Sequence, residues 1–114
     1  MVLEQNPPPG AGPVLVGNLE LDARSGKARA AGHPLPLTRK EFAVLWSLAI
    51  DRGKVTTRTA LLRRVWGRDV EASPRTVDVY IRRLRSKLEP ATGCRIETVV
   101  NVGYKLVFPP TSAA

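Results

Sequence analysis

Ser73-Pro74-Arg75-Thr76-Val77-Asp78-Val79-Tyr80-Ile81-Arg82-Arg83-Leu84-Arg85-Ser86-Lys87-Leu88 is the stretch on which the reading of this 114-residue chain depends. A serine followed by a proline is a helix start: the serine side chain can accept from first-turn N–H groups, and proline in the first helical position has no N–H to leave unpaired. Pro90 bounds the helix at its far end. Laid out at about 100° per residue, Val77, Ile81, Leu84 and Leu88 fall in a stripe roughly 60° wide, which has to face a core. The opposite side carries Arg75, Val79, Arg82, Arg83 and Ser86, with Arg85 and Lys87 on its flanks.

A charged helix surface is ordinarily just a solvated face, with Glu and Lys interleaved at four-residue spacing to form ion pairs. Here the signs do not balance, because Arg75, Arg82, Arg83, Arg85 and Lys87 stand against only Asp78 and the terminal Glu89. Like charges this close repel, so the pattern points to an external polyanion. A duplex major groove admits an α-helix, arginine can bridge the two acceptors of guanine, and a small apolar group such as Val79 can touch a thymine methyl. Phosphates would take the flanking charges.

The rest of the chain supports that reading. Eighteen Lys and Arg against ten Asp and Glu give a net charge of +8, and residues 1–51 contribute nothing to the excess. Residues 52–105 hold thirteen basic and five acidic side chains, an asymmetry that suggests one charged working face. With 43% hydrophobic and 25% charged residues the chain has a core to bury, and its length suits one domain. Cys94 and His33 are the single cysteine and histidine, which excludes an internal disulfide and a Cys/His zinc site. Neither a phosphate-cradling glycine loop nor a paired-carboxylate motif is visible, so no enzyme activity and no cofactor are expected. The longest apolar run, residues 42–50, is interrupted by Ser47 and falls far short of the roughly 18 residues that span a bilayer. No secretory pattern precedes it, and the expectation is a cytoplasmic chain.

Residues 14–37 read as short antiparallel strands, with Leu19 and Leu21 alternating with Glu20 and Asp22, and turns at Ser25-Gly26 and Gly32-His33-Pro34. Thr38 with Glu41 three residues on is a capping box, and Phe42, Leu45, Trp46 and Ala49 follow at helical spacing up to Gly53, which assigns Trp46 to the core. A short second helix begins after Thr57, with Leu61, Leu62, Val65 and Trp66 on its buried side and Gly67 closing it. Beyond a Thr92-Gly93 turn, residues 95–100 and 104–108 flank an Asn/Gly turn and read as a β-hairpin. Residues 1–13, rich in Pro and Gly, read as the stub of a linker to a partner domain, and residues 109–114 as a frayed tail.

Residues 75–88, taken with Leu37-Thr38-Arg39-Lys40-Glu41-Phe42, Val65-Trp66-Gly67 and Gly103-Tyr104, resemble the C-terminal effector domain of OmpR/PhoB-type response regulators. The match runs in order over about residues 14–108. It implies an α+β fold, a winged helix-turn-helix: an N-terminal four-stranded antiparallel sheet, three helices and a C-terminal β-hairpin wing. The recognition helix, about 74–88, would lie in the major groove and the wing, about 96–107, near the minor groove. On that resemblance Arg75, Thr76, Val79, Tyr80, Arg82, Arg83 and Ser86 contact DNA, with Arg85 and Lys87 as further phosphate ligands. Arg58 and Trp66 reach the backbone from the second helix, and Thr98, Val100, Asn101, Val102 and Tyr104 form the wing surface. The loop containing Arg68, Asp69, Val70 and Glu71 would either contact RNA polymerase or serve as a connector. A receiver domain would control the effector, which when isolated would be monomeric or weakly dimeric and would bind tandem direct-repeat half-sites of double-stranded DNA. One departure stands out: the family's wing usually reads Thr-Val-Arg-Gly, whereas this chain has Thr98-Val99-Val100-Asn101. Asn101 can take the positive φ that Gly would, but the minor-groove arginine is missing and its task would fall to Arg95 or Lys105. That loss is the best support for an alternative function, a protein-interaction module with a weakened DNA role.

Overall fold

The computed structural model describes residues 13–51 and 53–108. The linker stub, apart from Pro13, and the tail lie outside the described residues. The chain opens with four antiparallel strands paired in sequence order: β1 (Val14–Val16), β2 (Leu19–Asp22), β3 (Lys27–Ala30) and β4 (His33–Leu35). Period-2 alternation turns Val16, Leu19, Leu21, Ala28, Ala30 and Leu35 inward. Across the strands Leu19 faces Ala30, and Ala28 lies between Leu21 and Leu35, so large and small side chains alternate over the inner face.

Against that face lies α1 (Arg39–Ile50), which starts at Thr38 with both bonds of the capping box: Glu41 N–H donates to Thr38 Oγ1 (3.2 Å), and Thr38 N–H donates to Glu41 Oε1 (2.9 Å). Every residue from Glu41 to Ala49 is buried. The spacing predicted one apolar face, but a helix enclosed by the sheet on one side and two helices on the other needs apolar residues all round, and Ala43, Val44 and Leu48 supply them. Asp51 caps its end, and Gly53, at φ 80°, donates its N–H to Leu106 O at 3.1 Å.

A two-residue strand, β5 (Thr56–Thr57), follows, then α2 (Arg58–Trp66), α3 (Pro74–Thr92), β6 (Arg95–Val99) and β7 (Gly103–Val107). β5 was not foreseen in the sequence. It pairs with β7 in a three-stranded sheet of order β5-β7-β6. Leu62, expected among the buried residues of α2, is only partly buried. The larger correction concerns Pro90, which does not stop α3: the helix continues to Thr92 and closes on Gly93 at φ 79°. A proline this close to the end removes a single N–H from the ladder. In the last turn Thr92 Oγ1 donates to Leu88 O (2.9 Å) and accepts from Cys94 N–H (3.0 Å).

The predicted stripe of α3 is the centre of the core, with Val77, Ile81, Leu84 and Leu88 each at most 1% exposed. Cys94 is enclosed and its thiol donates to Val16 O at 3.2 Å; burial raises its pKa, with the Thr92 bond opposing, which keeps it a protonated structural thiol. Four-stranded sheet, helix-turn-helix pair and hairpin together make a winged helix-turn-helix.

Candidate nucleic-acid interface

Because the core holds one side of α3, its remaining surface divides into three arcs. Arg75, Arg82 and Ser86 are exposed and Val79 half-buried in the arc opposite the core. Among the described residues Arg75 and Arg82 have no hydrogen bond or ion pair, and Ser86 Oγ donates to Arg83 O at 2.8 Å. Two guanidiniums flanking a valine and a hydroxyl can read base edges in a groove. At the helix start Thr76 is half-buried, its Oγ1 accepting from Ser73 N–H at 3.1 Å.

The arc toward α2 is braced by rings and charges. Tyr80 meets Trp66 edge-on with centroids 5.1 Å apart, the Arg83 guanidinium lies 5.0 Å over the Tyr80 ring, and Lys40 Nζ lies 5.5 Å from the Trp66 ring while donating to Val65 O at 3.0 Å. Trp66 is thereby buried, whereas Arg83 remains exposed. Lys87, half-buried, binds the buried Glu41 carboxylate at 2.7 Å. Burial alone would raise the Glu41 carboxyl, but the Lys87 ammonium and the Thr38 N–H outweigh it and hold its pKa below the ordinary value.

The third arc faces the hairpin. Asp78 Oδ1 accepts from Tyr104 Oη (2.6 Å) and pairs with Arg58 Nε (3.0 Å). Arg85 donates to Ile96 O through Nε (3.0 Å) and Nη2 (2.7 Å), and to Thr98 Oγ1 (2.8 Å), with its guanidinium 5.6 Å over the Tyr104 ring. Burial pushes the Tyr104 phenol above its ordinary pKa, the Asp78 bond adds to the rise, and Arg58 opposes it. The Tyr104 hydroxyl and then the Asp78 carboxylate raise Arg58 in turn.

At the hairpin tip Val102 N–H donates to Val99 O at 2.9 Å, and Asn101 takes φ 65°, the left-handed conformation expected of it. Val100 is 75% and Val102 48% exposed, while Tyr104 is buried. Of the two substitutes for the missing wing arginine, Arg95 is exposed and Lys105 lies 3.8 Å from Glu97. In the α2–α3 connection Arg68, Asp69, Val70 and Glu71 are all exposed, Val70 to 95%, and Asp69 Oδ1 accepts from Glu71 N–H at 3.0 Å.

The structure therefore keeps Arg75, Val79, Arg82, Arg83 and Ser86 together on the outer side of α3. It engages Arg85 and Lys87 within the fold. Sequence reasoning missed Asp78, treated there only as a minority charge, and Glu41 as the partner of Lys87. The signal for Asp78 was its place seven residues before Arg85, two turns away on the same flank.

A family model described as transcriptional regulatory protein, C terminal, matches residues 32–106. The sensory transduction protein RegX3 of Mycolicibacterium smegmatis is 40% identical over 92 residues, which cover 79% of this chain and 40% of that protein. The chain thus spans about two fifths of the length of the curated relatives it matches. Among solved structures, the response regulator DrrB, a Thermotoga maritima OmpR/PhoB homologue, superposes with a TM-score of 0.73 at 37% identity, covering 84% of this chain and 44% of that one. The DNA-binding domain of Klebsiella pneumoniae RstA, solved in complex with the RstA box, gives 0.73 at 33% identity and covers 85% and 98%. Among the described residues no helix is long and apolar enough to cross a membrane. By sequence and by fold, this chain belongs to the C-terminal domain family of transcriptional regulatory proteins, in its OmpR/PhoB-type response-regulator branch.

Proposed function

We propose that this domain binds double-stranded DNA sequence-specifically, as the effector part of a two-component transcriptional response regulator acting in the cytoplasm. The observation that carries the reading is the outer arc of α3: Arg75 and Arg82, without an anionic partner among the described residues, beside Val79 and Ser86, on a helix whose opposite face is core. Arg75, Val79, Arg82 and Ser86 are assigned to base edges, Thr76 and Tyr80 to their rim, and Arg83 and Arg58 to phosphates. The RstA domain seated on its DNA box, at 33% identity, supports the same use of this fold here. Control by a receiver domain accords with the relatives' greater length. RNA polymerase is the proposed partner of the α2–α3 loop, whose Val70 side chain stands clear of the protein.

The test is a duplex-binding titration of the Arg82→Ala, Arg83→Ala double variant. With the two arginines together worth about 2 kcal/mol or more, the specific affinity should fall about 30-fold or more while the circular dichroism is unchanged. Full binding by a folded double variant would contradict the reading. It would favour protein docking through the exposed Val70 and Val100 instead.

A further inference from the structure

We propose that Asp78 is a positioning residue for DNA binding, fastening the hairpin and Arg58 to α3 so that helix and wing meet a duplex at a fixed angle. Its effect on affinity rests on the DNA reading above. A carboxylate beside the outer arc of a basic helix works against a polyanion, and any duplex would be held more tightly without it on charge alone. The geometry gives it another task. Groups from two other elements converge on one oxygen, Asp78 Oδ1: the Tyr104 hydroxyl of β7 at 2.6 Å and Arg58 Nε of α2 at 3.0 Å. Tyr104 is 5% exposed, and its backbone pairs with Thr98 on one side and Thr56 on the other, so the phenol is held by the sheet.

A second strut lies seven residues along the same flank, about 10 Å at 1.5 Å per residue. There Arg85 grips Ile96 O and Thr98 Oγ1. With one strut the hairpin could pivot against α3; two separated struts fix its angle. Arg58 is held at this junction by Asp78 and the Tyr104 hydroxyl, and its side chain, 49% exposed, can still present N–H donors to a phosphate.

The experiment compares wild type, Asp78→Ala, Tyr104→Phe and the double variant on a selected duplex and on a scrambled duplex. On the free proteins it also compares residual dipolar couplings of the β6 and β7 amides. Each single variant should bind the selected duplex about tenfold more weakly and the scrambled duplex no more weakly than wild type. The double variant should be no worse than Asp78→Ala, because both changes cut one strut. The hairpin couplings should depart from the wild-type orientation while those of α3 stay. Asp78→Asn, which keeps an acceptor for Tyr104 and releases Arg58, serves if Asp78→Ala does not fold, and should lose several-fold. Undiminished binding of the selected duplex by these variants, or hairpin couplings unchanged in Tyr104→Phe and in a folded Asp78→Ala, would overturn the proposal. A wild type that binds both duplexes alike would instead overturn the DNA reading and, with it, the effect on affinity inferred here.

Discussion

Gly103 is the position where a single atom decides most. A Cβ built there would lie 2.1 Å from Thr56 O and 2.8 Å from Thr57 Cα, and both are backbone atoms that cannot rotate away. Gly103→Ala should therefore force β5 off β7 and cost about 3 kcal/mol in a urea titration, at the upper end of overpacking effects. A change within about 0.5 kcal/mol would show that the two strands can separate freely. The sequence marked Gly103 as part of a hairpin turn and, with Tyr104, of the family resemblance, neither of which shows what it packs against. Its actual role is to admit a neighbour, and that neighbour has two residues, too few to carry any periodicity. Val100 poses the converse case, an exposed residue at the hairpin tip where the family usually has arginine. Because Asn101 already holds the turn at φ 65°, Val100→Arg should fold unchanged and raise duplex affinity several-fold by restoring an arginine that can enter the minor groove. Unchanged binding would mean that the hairpin does not reach the DNA.

Between elements, the contact most open to measurement is Glu41 with Lys87, which fastens the start of α1 to α3. Glu41 is 3% exposed and its pKa is lowered in the fold. A lowered carboxyl contributes stability that is fully present above the unfolded value of about 4.3 and is lost as the pH falls through the folded value. Glu41→Gln should therefore lower stability at neutral pH by about 1–3 kcal/mol and flatten the acid limb of a urea-midpoint against pH curve. An acid limb as steep as in wild type would remove Glu41 from the account. The start of α1 was legible because a capping box is a local signal, written in Thr38 and Glu41 alone. The partner of Glu41 was not, since Lys87 lies 46 residues away. The end of α3 was misread for a related reason: a proline forbids a helix interior, but this close to the C-terminus it removes a single N–H, and the helix runs on to close at Gly93 with φ 79°.

For the molecule as a whole, the division between core and working surface was legible in one 3.6-residue period. The stripe from Val77 to Leu88 and the basic side opposite it are found where that period put them. The roles of the flanks were not legible, because Asp78, Arg85 and Lys87 acquire their partners only once hairpin and α1 have closed on α3. The net charge of +8, concentrated in the second half, predicts salt-sensitive binding: with about six phosphates neutralised, log affinity should fall against log salt with a slope near −5. The molecule measures 39 × 35 × 22 Å. It covers roughly one 34–36 Å helical turn, so two copies seated in tandem on one face of a duplex should repeat every 10–11 base pairs or so. Selection of bound duplexes from a random pool with the wild-type protein decides whether this domain binds DNA sequence-specifically. It should enrich one motif, and where two copies bind, as a direct repeat at that spacing. A pool that emerges unenriched, with binding that ignores sequence, would contradict it.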